Sequence, residues 1–465
     1  MNKSVNYDII IIGCGMSGLS AGIRLSYYGK KVLIVEQHSL PGGLNSFYRR
    51  KGMIFDVGLH AITNFVSAKQ RQSPLNKLFR QLKLKWKDFN LIQQKSSCIQ
   101  FPEKSLNFSN DIQLLKEEIY NNFPSQVDGF SKLQRYIEEF DALSLTDNQY
   151  LSTRKILREF IDDSLLIEML LCPVMYYGSS SENDMDFSQF AIMFRSIFLE
   201  GFSRPETGVK HIIDLLLRKF NDLNGELRFK TKISKLIIDH GMVKGVKLDT
   251  GEEILAEKVL SSAGLAETEK LAKENICNKE IIRGKLSFTE VIVILKDYLS
   301  NKNYNNTIMF YNDSDKFSYQ QADDFIDLRS GVICSPDNFA YSDSMNRPKP
   351  VLRITNMANY QLWSSLDKDQ YQDKKLEVYE LILDKIKRFV PLDSADIIFM
   401  DMFTPVTVEK FTGHFNGAVY GSPLKIKDGV TNIKNLFICG TDQGFLGIVG
   451  SMLSGVSMAN LHCLK

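Results

Sequence analysis

Three glycines in the order Gly13-x-Gly15-x-x-Gly18, followed by Glu36, are the first residues whose type and spacing imply a chemistry. In such a turn the first glycine permits tight curvature. The second lets a diphosphate approach the backbone, and the third lets a helix pack closely on a strand. The helix that follows aims its free N–H groups and positive dipole end at the phosphates. An acid about 20 residues further on accepts from the ribose hydroxyls, the place that Glu36 takes. A chance glycine turn would explain the glycines but not the ordered acid. The six histidines (His38, His60, His211, His240, His414, His462) are isolated in the chain, so no metal site is expected. No nucleophile elbow, HExxH helix or Walker loop is present.

The elements needed to position this turn are all legible. Tyr7–Ile12 is a mostly β-branched run, as expected of a buried parallel strand. Met16 to Tyr28 has helical spacing and ends near Gly29, a C′ residue. Lys31–Glu36 reads as a second buried strand, completing one βαβ unit. From about Ser73 to Glu200 the chain is mainly helical, with Phe187, Phe190, Phe194 and Phe198 on one face. Residues 226–262 alternate with turns at His240-Gly241 and Thr250-Gly251, a β-meander. Strand-like runs fill 288–360, Leu376–Val390 is an amphipathic helix and Ile397–Phe403 a strand. Asn435–Cys439 then enters a glycine-rich turn and a last helix.

Composition limits the function classes. The chain has 465 residues, 44% hydrophobic and 24% charged, with a formal charge of +2. That excludes general disorder and the basic excess of a nucleic-acid binder. Seven scattered cysteines, none in a CxxC pair, read as reduced thiols of a cytoplasmic protein. Ile9–Ile12 is too short for a signal h-region. Leu165–Tyr177, interrupted by Glu168 and Pro173, is too short to span a bilayer.

A second group of motifs decides which dinucleotide. Pro41-Gly42-Gly43 and Phe55-Asp56-Val57-Gly58 follow Glu36, and Asn435 to Gly440-Thr441-Asp442 precedes Gly444, Gly447 and Gly450. This set resembles the amine-oxidase-like FAD superfamily. With Pro205-x-x-Gly208, Gly245-Val246, Ser261-Ser262-Ala263, Thr404-Pro405 and Gly417-Ala-Val-Tyr-Gly421, it is similar to the phytoene desaturase, carotenoid isomerase and retinol saturase family. The resemblance implies FAD. It places Gly42 and Gly43 beneath the diphosphate and the segment near Ile233 against the adenine. Asp442 falls at the ribityl–diphosphate region, and the helix beginning near Gly447 and Ile448 at the flavin N1–C2=O edge. Asp442 on its own also reads as a helix N-cap. The desaturases usually have arginine after the glycine pair; here Leu44-Asn45 stands there. The stretch Asp56 to His60 resembles the retinol saturase type. It puts Gly58 and His60 at the flavin's reactive face, where His60 would be an acid/base, an oxyanion donor or a plain hydrogen-bonding residue. The remaining implied cofactor residues are Asn45 and Gly440.

The implied fold is α/β: a Rossmann-like FAD-binding domain of GR2 type with a β-meander, and an inserted α+β substrate domain of helices and mixed sheet. The expected boundaries are 1–68, 205–275 and 396–465 for the FAD-binding domain. Residues 69–204 form the helical substrate- or membrane-facing region and 276–395 the substrate sheet. The resemblance implies an oxidoreductase that desaturates, saturates or isomerises a C–C/C=C unit of a long apolar lipid: a carotenoid, a retinoid or an unsaturated acyl chain. A flavin amine oxidase and a non-catalytic prenyl carrier like the Rab GDP-dissociation inhibitors are the alternatives. The phenylalanine stripe reads as core, or as one wall of an apolar tunnel. Residues 69–87 combine seven basic side chains with Leu75, Leu78, Phe79, Leu82 and Trp86. They read either as a solvated helix over the core or as a peripheral membrane contact.

Overall fold

The computed structural model describes residues 6–464 except Leu59, residues 143–148 and Asn346; Leu59 falls within the Asp56–His60 stretch. The predicted βαβ unit is its centre: strand β1 (Tyr7–Ile12), helix α1 (Met16–Tyr27) and strand β2 (Val32–Val35). β1 and β2 pair in parallel, and β1 also pairs in parallel with the end of strand Glu253–Ser261. The start of that same strand pairs antiparallel with Met242–Leu248, which in turn pairs with Ile233–Asp239. One strand thus joins the parallel sheet to the meander. Glu226–Arg228 and Leu436–Ile438 complete seven strands. β1 from Ile9 onward and all of β2 are apolar because both faces of the sheet are covered. One face packs under α1, helix Val209–Asp222 and helix Gly447–Met458. The other packs against the meander.

A second seven-stranded sheet runs in the order Ile397–Phe403, Ser287–Leu295, Val351–Ala358, Ser330–Cys334, Ile308–Asn312, Ser97–Gln100, Ser105–Phe108. Its period-two alternation sends Val291, Val293 and Leu295 toward Val378, Ile382 and Ile386 of helix Lys368–Ile386. Phe288, Ile308 and Phe310 face the block of helices between Ile112 and Glu200.

Two expected boundaries change. Ile397–Phe403 pairs antiparallel with Ser287–Leu295, so it belongs to the second sheet and not with Leu436–Ile438. Ser97–Gln100 and Ser105–Phe108 extend the same sheet from inside the supposedly helical 69–204 segment. Both misassignments concern strand partners distant in sequence, which local periodicity does not encode.

Of the two readings of the basic segment, the packing agrees with the helix over the core. Ser73 caps helix Pro74–Leu82, and Leu75, Leu78, Phe79 and Leu82 are buried in the core beneath α1. Phe79 packs on Phe89 at 4.5 Å between centroids. Trp86 donates its indole N–H to the Val66 carbonyl at 3.1 Å. The side chains that would have dipped into a membrane already face protein. Lys69, Arg71, Lys77, Arg80, Lys83, Lys85 and Lys87 remain exposed. Among the described residues, no helix is long and apolar enough to cross a membrane.

The four phenylalanines are fully buried. Neighbouring rings along the stripe lie 5.8, 5.7 and 5.0 Å apart. They fill the core with one another, within the aromatic contact range.

Candidate functional site

The glycine turn distributes space as its spacing predicts. Gly13 turns with φ +94°. A β-carbon on Gly18 would overlap the Gly13 carbonyl, so α1 sits hard against the turn. At Gly15 the backbone is extended at φ −75°, and a β-carbon would meet no atom within 4 Å. The space is open only at the second glycine, at the N-terminus of a helix without acidic residues in its first turn. An anion fits there.

The Gly42 N–H donates to the Cys14 carbonyl at 2.8 Å, which docks the glycine pair on the turn. Glu36 accepts from the Cys14 N–H at 2.8 Å and from the His38 N–H at 2.7 Å. Its carboxylate is therefore fixed in place, and each oxygen keeps a further acceptor site.

These residues enclose a cavity of about 600 Å³. Gly13, Gly15, Glu36, Gly42, Gly43, Asn45, Ile233 and Asp442 all line it, residues drawn from both ends of the chain and from the meander. Gly18, Gly58, Gly440, Gly447, Ile448 and His60 do not. Gly18 acts by packing, and Gly58 turns against the Leu44 carbonyl with φ +66°. The Gly440 N–H donates to Ser454 Oγ at 2.7 Å. Gly447 opens its helix beside Thr63, and Ile448 is buried in the core under α1.

Asp442 is 1% exposed. Its carboxylate accepts from the Ser422 N–H at 2.8 Å, the Leu265 N–H at 2.6 Å and the Lys425 ammonium at 3.3 Å. It ties three chain segments together at the cavity edge. The helix N-cap is Leu446, so the capping reading of Asp442 does not hold. Burial pushes the Lys425 ammonium pKa down, against the pull of Asp442.

His60 lies where the first domain meets the second sheet. Its Nε2 is 3.1 Å from Thr355 Oγ1 and 3.7 Å from Glu290 Oε1. Its carbonyl accepts from the Cys334 thiol at 3.7 Å. Glu290 is also bonded to Arg353. Burial alone would raise the Glu290 carboxyl pKa, but Arg353 and His60 outweigh it and hold it below the ordinary range.

Among the further ionisable residues of the cavity wall, two form a close pair that sequence reasoning did not find. Glu267, on helix Leu265–Ala272, faces His414 with Oε1 3.4 Å from Nδ1. They are far apart in the chain and belong to no motif, so only the folded cavity identifies them. No group of three or more His, Cys, Asp or Glu residues able to hold a metal occurs among the described residues.

A family model of flavin containing amine oxidoreductases matches residues 16–460. The chain belongs to that family. The cofactor is therefore FAD, and the turn, the glycine pair and the open space at Gly15 suit its diphosphate. Relatives of this family member include the prolycopene isomerase of Arabidopsis thaliana, 24% identical over 98% of this chain and 82% of its own. The 4,4'-diaponeurosporene oxygenase of Staphylococcus aureus is 24% identical over 89% of this chain and 87% of its own. Among solved structures, an oxidoreductase from Methanosarcina mazei superposes with TM-score 0.66 at 16% identity, covering 97% of this chain and 99% of its own. A putrescine oxidase bound to putrescine gives 0.61 at 12%, covering 99% of each chain. The Rab GDI of Plasmodium falciparum gives 0.55 at 14%, covering 98% of each. These three likenesses concern the fold.

Proposed function

We propose that this flavin oxidoreductase desaturates, saturates or isomerises a C–C/C=C unit of a long apolar lipid, of the carotenoid, retinoid or unsaturated acyl class. The observation that carries the reading is the near full-length similarity to prolycopene isomerases. Both chain ends that build the FAD cavity are present and converge, which favours an enzyme over a lipid carrier.

Bound FAD supplies two-electron redox chemistry. The chain's own residues bind and orient it: Glu36 toward a ribose, the Gly13–Gly18 turn and the α1 N-terminus toward the diphosphate, and the Ile233 segment toward the adenine. Asn45 lines the same wall. His60 is the proposed proton-handling residue, with Glu290 and Thr355 setting its ring. A hydrocarbon needs few polar anchors, because each buried CH₂ contributes about 0.8 kcal/mol.

The test has two parts. Purified protein should carry flavin absorbance, and its lipid extract should contain an apolar polyene or unsaturated acyl chain by mass spectrometry. Incubation with that lipid should change its double-bond count or geometry on chromatography. Protein that leaves every polyene unchanged but releases peroxide from an amine is an amine oxidase instead.

A further inference from the structure

The FAD diphosphate brings negative charge to a turn that offers it only backbone N–H groups and a helix dipole. The cavity wall also contains Lys232, Lys270 and Lys273, but all three are exposed to solvent, where water and salt screen them. His414 differs. Its side chain is 15% exposed, and that of its partner Glu267 is 16% exposed.

The pair sits beside the phosphate turn. Ser262 donates its hydroxyl to the Ile12 carbonyl at 2.7 Å, next to Gly13. A β-carbon on Gly264, two residues further on, would stand 3.4 Å from His414 Cε1. Glu267 Oε1 accepts from the Phe415 N–H at 2.9 Å while facing His414 Nδ1. The carboxylate faces one ring nitrogen at ion-pair distance, and the other ring nitrogen remains to donate when the ring is protonated. We infer that the His414 imidazolium, positioned by the Glu267 carboxylate, is a binding residue for the dinucleotide diphosphate.

The charge state agrees with the geometry. Burial pushes the His414 pKa down, but Glu267 outweighs it, and the net direction is up. Glu267 moves the opposite way: burial raises it, and His414 with the Phe415 N–H lowers it overall. The other charged groups facing this corner are Asp442, which favours the imidazolium, and Lys425, which opposes it. Lys270 and Arg283 stack on the Phe415 ring next door. A partly buried imidazolium is screened less by water than an exposed lysine is, although the Glu267 carboxylate offsets part of its charge.

The inference rests on FAD as cofactor and not on the hydrocarbon substrate. The sign follows from linkage. His414 is charged below its raised pKa and loses that charge as pH rises, so FAD affinity should fall with rising pH. The limiting slope is about tenfold in dissociation constant per pH unit above the imidazole pKa.

FAD release from the holoprotein is measured by flavin fluorescence between pH 6 and 9, beside a thermal-unfolding control. The wild type should show that slope. His414→Gln should bind FAD weakly with a flat profile, and His414→Lys should restore tight binding up to pH 9. Glu267→Gln should move the midpoint to lower pH. A flat wild-type profile with FAD bound overturns the inference alone. So does an unchanged slope in His414→Gln, which would assign the titration to Lys425. Protein that binds no FAD at any pH overturns the cofactor reading as well.

Discussion

His60 and Glu290, far apart in the chain, meet at 3.7 Å in the interior, and Arg353 contacts the same carboxylate oxygen. Among the described residues, the histidine is tied to the second sheet and to no residue of the Gly13–Gly18 turn. His60→Ala should therefore keep FAD. If the imidazole handles the substrate proton, turnover falls by about 10²–10⁴-fold. Flavin content and turnover of the same preparation check this, and normal turnover leaves His60 a structural residue.

Glu290 itself should matter for folding. Arg353 is 2% exposed, and breaking a buried pair by removing one partner costs about 3–5 kcal/mol. Glu290→Gln should lower denaturant stability by that order at neutral pH. Because the folded carboxyl pKa is depressed, its contribution is present above the unfolded value of about 4.3. It is lost as pH falls through the folded pKa. The gap between wild type and Glu290→Gln should narrow in acid. A gap that stays constant down to pH 2 contradicts the assignment.

Gly15→Val separates cofactor space from fold. The backbone there is extended, and an added β-carbon would meet no protein atom within 4 Å. Folding should survive, by circular dichroism, while flavin content drops sharply. A folded variant with full flavin would remove the turn from the diphosphate site.

Glu36→Ala should act on both. It strands the Cys14 and His38 N–H groups, each costing about 1–3 kcal/mol if left unpaired and buried. It also takes away the ribose acceptor. Lower unfolding temperature together with lower flavin retention is expected; loss of flavin alone would mean the two backbone bonds contribute nothing.

Phe79→Ala distinguishes core from membrane anchor. Phe79 is 3% exposed and packed against Phe89, so truncation should cost about 3–5 kcal/mol. A stability loss near zero, with weaker binding to anionic vesicles, would restore the membrane reading of residues 69–87.

The dinucleotide site was legible where chemistry depends on near neighbours. The glycine spacing, the β-branched strands and Glu36 interact within one βαβ unit, and local sterics impose a residue type at each place. Gly13, Gly15 and Gly18 could thus be assigned distinct tasks, which the crowding at Gly13 and Gly18 and the open space at Gly15 match. Helix Pro74–Leu82 was equally legible as amphipathic. Its pattern is the same whether the apolar face meets a bilayer or α1, since burial against either removes water. Only the packing of Leu75, Leu78, Phe79 and Leu82 chose between them. The partners of Ile397–Phe403 and Ser97–Gln100 were likewise undetermined, because a strand's alternation records which face is buried and not which strand lies alongside. Charge pairing was the least visible. Asp442 reads as a ligand or a cap until Ser422, Leu265 and Lys425 close around it, and Glu267 with His414 forms no motif at all. Coulomb interactions and hydrogen bonds depend on distance in space, and these residues, distant in sequence, are neighbours only in the tertiary fold.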